Sequence, residues 1–213
     1  AQNTLLPWSE NILPLAYSLK APDMFIQTEA TPNPDTFKFL PGRDVLGSGT
    51  REFETIEDAA ISPLARALFA IDGVRRVYLA GDFLSITKWP DFDWSFLKPM
   101  ALAAIMDHYM TGLPVLEADA AEPGTETETV YEGEAAEIVE QIKDLIETRV
   151  RPAVAQDGGD IIFNAFEIET GKVTLTLRGA CSGCPSSTLT LKQGIENMLR
   201  HYVPEVRTVV AAA

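Results

Sequence analysis

The sequence predicts an α+β protein of two small α/β-layered domains joined by a flexible acidic linker. Three observations carry this reading. Short runs of alternating apolar and polar residues are bounded by Pro, Gly, Asn and Asp, the signature of half-buried strands between turns. Other stretches place apolar residues at helical spacing behind capping residues. The formal net charge of −14 over 213 residues is uneven: residues 115–133 alone contribute −6.

The chain opens AQNTLLPWSENILPLAYSLKAPD, with its first methionine at Met24. Residues 1–23 fit neither an Arg-rich transit peptide nor a secretory signal with a charged start and an apolar run. They read as an irregular upstream extension. From Met24, MFIQTEA is strand-like, TPNPD is a turn and TFKFLPG alternates as a second strand. Ser62 and Pro63 open a helix that carries Leu64, Leu68 and Ile71, and Asp72-Gly73 stops it. VRRVYL and FLSITK flank Ala80-Gly81-Asp82 as a hairpin. Asp93 caps a helix through DWSFLKPMALAAIMDHYM, which Pro99 is expected to kink. These elements form a first domain over residues 24–114, with Trp89 and Trp94 at its core or rim.

The segment EADAAEPGTETETVYEGE has no basic residue and a Pro-Gly break. It cannot bury enough apolar surface to offset its ordering entropy. Residues 115–133 therefore read as a self-repelling linker that lets the domains reorient. In the second domain, residues 134–213, EAAEIVEQIKDLIETRV is an amphipathic helix with Ile138, Ile142, Leu145 and Ile146 on one face. Pro152 is expected to end it or mark its last turn. Asp157-Gly158-Gly159-Asp160 is a tight turn, since its aspartates would repel a phosphate. IIFNAFEIE and KVTLTLR form a second hairpin. PSSTLTLKQGIENMLRHYV is a helix and EVRTVV a closing strand. The order predicts a small sheet with two helices on one face. Gly194, inside the last helix, implies close packing there, against its own sheet or a second chain.

No run approaches the roughly 18 apolar residues of a membrane-spanning helix. No concentrated basic stripe offers a surface to nucleic acid or anionic membrane, so neither is expected as a partner. The only two cysteines, Cys181 and Cys184, form a C-x-x-C pair that suits a reducing compartment. Cys181 leaves a strand, Ser182-Gly183 makes the bend, and Pro185 starts a helix. Cys184 is expected near the N-cap, where helix N–H groups lower a thiolate's pKa.

Four chemistries compete for this pair: two structural buried thiols, a redox disulfide, zinc, or an iron–sulfur cluster. Zinc wants four ligands, and only His108 and His201 are otherwise available. His108 lies in the first domain as a surface or partly packed residue. His201 lies about 25 Å along the final helix from Cys184. A cubane cluster takes four cysteine thiolates, which two chains on a twofold axis would supply. Arg178 could screen cluster charge or simply sit on the surface.

The block from about Glu134 to Val210, with VRPAVAQDGGDI and LRGACSGCPSSTLTLKQGIENMLR, resembles the C-terminal domain of NifU shared by Nfu iron–sulfur proteins. Residues from about Met24 to Gly112, especially MFIQTEATPNPDTFKFLPG, resemble the N-terminal domain of mitochondrial and alphaproteobacterial Nfu proteins. The resemblance implies a [4Fe–4S] cluster held between two protomers by Cys181 and Cys184, and hence a homodimer. It also implies receipt from upstream assembly proteins and delivery to apo-proteins such as lipoyl synthase, aconitase-type enzymes or respiratory subunits, without catalytic turnover. A bacterial cytoplasm, or alternatively a mitochondrial matrix, is the expected location. A thiol–disulfide oxidoreductase and a zinc-bridged interaction module are the competing functions.

Overall fold

A computed structural model describes residues 25–117, 131–183 and 185–212. The upstream extension, most of the acidic segment and Cys184 lie outside the described residues.

The N-terminal domain is built on a five-stranded antiparallel sheet. Its strands are β1 (Gln27–Ala30), β2 (Thr36–Leu40), β3 (Arg51–Phe53), β4 (Val74–Leu79) and β5 (Leu84–Lys88), in the order β1-β2-β5-β4-β3. The VRRVYL/FLSITK hairpin is thus the centre of the sheet. β3 and a 3-10 turn at Asp58–Ile61 were not expected from the sequence. Three residues of strand in a charged context carry no readable alternation.

Two helices, α1 (Pro63–Phe69) and α2 (Trp94–Thr111), cover one sheet face. Both begin as their capping residues predict. The Ala65 N–H donates to Ser62 Oγ at 3.1 Å, and the Ser95 N–H to Asp93 Oδ1 at 2.7 Å. α2 runs on through Pro99 and ends at Gly112 in a left-handed conformation. Phe39, Phe53, Val77, Leu79, Leu84 and Ile86 meet Leu64, Leu68, Leu97, Ala101 and Ile105 in the core between the layers. Trp94 sits at the rim, donating from Nε1 to the Pro34 carbonyl at 3.1 Å, and Trp89 lies under the Arg75 guanidinium.

His108 continues the buried stripe of α2 and is 5% exposed, which corrects the expectation of a surface or partly packed residue. Its Nε2 has no hydrogen-bond partner among the described residues. Burial pulls its pKa below the ordinary histidine value of 6.5. The unfolded chain therefore takes up a proton that the folded domain resists. This contribution to stability is complete above about pH 6.5 and is lost progressively as pH falls below it. Urea titrations at a series of pH values should show the His108→Leu variant losing less stability on acidification than the parent. Identical acid slopes would refute the assignment.

The C-terminal domain has a three-stranded sheet, β6 (Gly159–Glu167), β7 (Lys172–Gly179) and β8 (Thr208–Ala211), in that order. β6 and β7 form the expected antiparallel hairpin; β8 lies parallel to β7, reached through helix α5 (Pro185–Tyr202). The helix that opens the domain is longer than its sequence implies. α3 (Glu134–Leu145) passes through a π-helical turn at Ile146–Val150 into α4 (Arg151–Gln156). Pro152 neither ends it nor marks its last turn. A proline ring clashes with the carbonyl four residues back in a regular α-helix. The wider π turn just before it relieves that clash and lets the chain continue.

Ile138, Ile142, Val150 and Val154 from this helix, and Ile195 and Leu199 from α5, cover Ile161, Phe166, Val173 and Leu175 of the sheet. A bulge between Phe163 and Ala165 brings Phe166 onto the same face as Ile161. At Gly194 an added Cβ would meet nothing within 4 Å, so close packing within this chain does not explain that glycine.

The second face of the N-terminal sheet decides what surrounds the cysteine loop. It carries Glu52, Arg76, Tyr78, Lys38, Thr36, Ser85 and Thr87, the alternate residues to those in the core. A strand pattern of this kind normally faces water. Here every residue of β5 is buried, with Ser85 1% exposed, and Lys38 and Tyr78 are buried as well. The C-terminal domain lies against this face.

Candidate functional site: the cysteine loop and its cover

The loop begins where β7 ends. Gly179 has a φ of 62°, and Gly183 a φ of 81°, so the bend after Ser182 uses glycine as expected. The Ala180 N–H donates to the Gly158 carbonyl at 3.1 Å and the Ser182 N–H to the Gly179 carbonyl at 3.1 Å. Between these two turns sits Cys181. Its neighbour across the hairpin is Gly159, where an added Cβ would lie 2.6 Å from Cys181 Sγ. The DGGD turn thus leaves room for the sulfur by lacking a side chain at that position.

Cys181 is 6% exposed and belongs to the apolar core of its domain. Burial pushes its thiol pKa up to about 12, and the charges of Asp157, Asp160 and Glu52 push in the same direction. The lowered thiol pKa expected from a helix N-terminus concerns Cys184; at Cys181 the shift is in the opposite direction. A helix N-terminus acts over about one turn, whereas desolvation and three carboxylates act on Cys181 directly. Cys184, the other expected ligand, lies outside the described residues. Among the described residues, no group of three His, Cys, Asp or Glu side chains is placed to hold a metal ion.

Three N-terminal-domain side chains, none of them marked by the sequence as part of the site, converge on the loop. Asn33 Nδ2 donates to the Ala180 carbonyl at 3.3 Å and the Ser182 carbonyl at 3.4 Å. Arg76 donates to Ser182 Oγ, and also to Glu54 at 2.6 Å. The Gly179 N–H donates to Glu52 Oε1 at 2.9 Å. Burial raises the Glu52 pKa, although the Gly179 N–H and the positive charges of Arg76 and Arg178 oppose the rise. Arg178 lines a surface cleft with Arg51, Glu52, Phe53, Glu54 and Asp58.

The adjoining turn is held by the same sheet face. Ser85 Oγ donates to the Gly158 carbonyl at 2.7 Å. Lys38 Nζ donates to the carbonyls of Ala155 and Gln156 at 3.0 and 3.2 Å, capping the end of α4 with a positive charge. Thr50 Oγ1 donates to Asp160 Oδ2 at 3.1 Å, and Arg151 holds the same carboxylate at 2.7 and 2.9 Å. Tyr78, Ala80, Phe83, Leu40 and Ala155 form a small apolar cluster. Neither histidine approaches Cys181: His108 is buried on α2 of the N-terminal domain, and His201 meets Tyr202 edge-to-face at the far end of α5.

Residues 26–112 match the family model described as scaffold protein Nfu/NifU N terminal, and residues 142–210 match the NifU-like domain. A protein of Drosophila virilis, named NFU1 iron-sulfur cluster scaffold homolog, mitochondrial, is 45% identical over 210 residues, covering 98% of this chain and 68% of that protein. The chain belongs to the Nfu/NifU family.

Two Arabidopsis thaliana relatives, NifU-like proteins 4 and 5, mitochondrial, are 49% and 50% identical and match 87% of this Nfu chain. The chain spans 65% and 67% of their lengths. Among solved structures, the solution structure of a NifU-like protein from Saccharomyces cerevisiae aligns with a TM-score of 0.41 at 25% identity, covering 45% of this chain and 87% of that one. The cysteine pair falls inside the NifU-like block, and the side chains bonded to the loop around Cys181 come from the Nfu N-terminal block.

Proposed function

We propose that this Nfu chain carries a [4Fe–4S] cluster as cargo, held between two protomers by Cys181 and Cys184 of each, and passes it to apo-proteins. The observation that carries the reading is the position of the C-x-x-C pair at the hairpin–helix junction of a NifU-like domain. Thiolates are the soft ligands that iron–sulfur clusters require, and four of them complete a cubane. One chain supplies two, so a homodimer with the cluster on its axis completes the set. A cluster held between separable subunits suits transfer from assembly proteins to clients without catalytic turnover.

The domains are taken as residues 24–114 and 134–213, with 115–133 as linker; the two family matches fall within these limits. The named relatives are mitochondrial proteins, which supports the matrix as the location. A thiol–disulfide oxidoreductase is the weaker reading. The relative that covers 98% of this chain is named an iron-sulfur cluster scaffold homolog, which favours the carrier.

Anaerobic reconstitution with iron and sulfide tests the proposal. The expected product is a brown dimer with about four irons per two chains, from the ligand count of the cubane. A colourless protein that takes up only zinc would defeat it.

A further inference from the structure

The arrangement of the two domains conflicts with the proposed use of the loop. A shared cluster requires Cys181 to face a second chain. Instead Cys181 is buried, and the residues on both sides of it in the sequence are bonded to the N-terminal domain. A second loop cannot reach Cys181 without displacing Asn33 and Arg76.

The cover is a built surface. Asn33, Lys38, Arg76 and Ser85 all direct donors at the loop and the adjoining turn. Most of the acceptors are main-chain carbonyls: Ala155, Gln156, Gly158, Ala180 and Ser182. Glu52 adds one acceptor for the Gly179 N–H. The fit is close. At Gly158, φ 79°, an added Cβ would lie 2.8 Å from Ser85 Oγ and 3.3 Å from Lys38 Cβ. Around a small apolar contact of Tyr78 and Phe83 with Ala155, the covering residues that bond the loop are polar and would be readily solvated on leaving. Arg76 Nε has no hydrogen-bond partner while docked, and the nearest carboxylate oxygen, on Glu52, is 3.6 Å away. Polar groups imperfectly paired in an interface favour a reversible contact over a permanent one.

We propose that the N-terminal domain is a retractable cap on the cysteine loop, docked through Asn33, Lys38, Glu52, Arg76 and Ser85, and that it must undock before Cys181 can enter a shared cluster. The cap would protect the ligand in the empty carrier and make loading depend on separation of the domains. The role given to Cys181 rests on the proposed function; the docking itself does not.

The test uses the full chain with Cys184→Ser under reductant, so that Cys181 is the one thiol open to iodoacetamide. Asn33→Asp keeps the side-chain oxygen that accepts the Asp35 N–H at 3.0 Å, but sets a carboxylate against the Ala180 and Ser182 carbonyls. Lys38→Ala with Arg76→Ala removes two charged donors. Either change should speed alkylation of Cys181 about tenfold or more, the effect of losing charge-assisted bonds from a docked state. Hydrogen exchange should quicken at the Gly179 amide, which donates to Glu52, and stay slow at Ile161 and Leu175 in the C-terminal core.

Unchanged alkylation and unchanged Gly179 exchange in both variants would overturn the cap. So would equal loss of protection at Gly179, Ile161 and Leu175, because access would then come from unfolding. Iron uptake by the unaltered chain is scored separately: its failure would sink the carrier reading while leaving the alkylation and exchange results to decide the cap.

Discussion

Cys181→Ser and Cys184→Ser each yield protein that stays monomeric and colourless after anaerobic reconstitution, under conditions where the parent forms the brown dimer. The size of the effect follows from symmetry. One substitution per chain removes two of the four ligands of a shared cubane. A serine hydroxyl is a hard oxygen donor and does not replace a soft thiolate on iron. No second-best ligand is at hand, because the described residues place no further His, Cys, Asp or Glu cluster to hold a metal. The folded chain should survive. Cys181 lies within the core of its domain, so Cys181→Ser buries a hydroxyl at a cost of about 1 kcal/mol. Far-UV circular dichroism and absorbance near the cluster bands check both halves. Full iron content in either variant would rule out the ligand assignment.

Gly159→Val is the largest expected loss of stability. The position has no space for a side chain: an added Cβ would stand 2.6 Å from Cys181 Sγ, 2.8 Å from the Arg178 carbonyl and 3.0 Å from the Cys181 nitrogen. Two of these three are backbone atoms of the β7 strand and its exit, so they cannot swing aside. The hairpin must open or the loop must shift. Overpacking of this kind costs about 3 kcal/mol at its upper end. Urea denaturation of the metal-free chain should show a clearly lower midpoint, and reconstituted iron content should fall with it, because the displaced atom is a proposed ligand. The exposed-side comparison is Gly47→Ala. That glycine, unlike Gly159, has a positive φ, 74°, but a Cβ there meets nothing within 4 Å, so it carries only the backbone penalty. Equal effects from the two substitutions would show that the sulfur's space at Gly159 is not the cause.

Much of the molecule was legible in its residues. Ser62 with Pro63, and Asp93, marked where α1 and α2 begin, because capping is a local exchange between a side chain and the next N–H groups. Turn residues and alternation marked the β6–β7 hairpin and the strands TFKFL, VRRVYL and FLSITK, whose Phe39, Val77 and Ile86 lie in the core. The cysteine pair and the blocks that resemble Nfu proteins led to the family. Signals that depend on non-local geometry were missed. Pro152 read as a stop because a regular helix would stop there; the π turn that accommodates it has no sequence code of comparable strength. His108 reads as a surface or partly packed residue by its polarity, although its place after Leu97, Ala101 and Ile105 at helical spacing marks the buried stripe.

Apart from β3, the 3-10 turn and the π turn before Pro152, the amino-acid sequence alone determined the elements, their order, the two domains and the cysteine pair. Each of these is written in patterns a few residues long: period, cap, turn residue, spacing. Only the tertiary structure decided what the cysteine loop faces. Lys38, Arg76 and Ser85 alternate with core residues and read as a solvated strand face, and Asn33 reads as a turn residue. In the folded chain they meet partners 73 to 149 residues away. No local preference records a contact across that separation, since it exists only when one folded surface meets another. That meeting sets Glu52 and a row of polar donors against a loop whose Cys181 is buried in the core of its own domain, with its pKa pushed up by desolvation and by Asp157, Asp160 and Glu52.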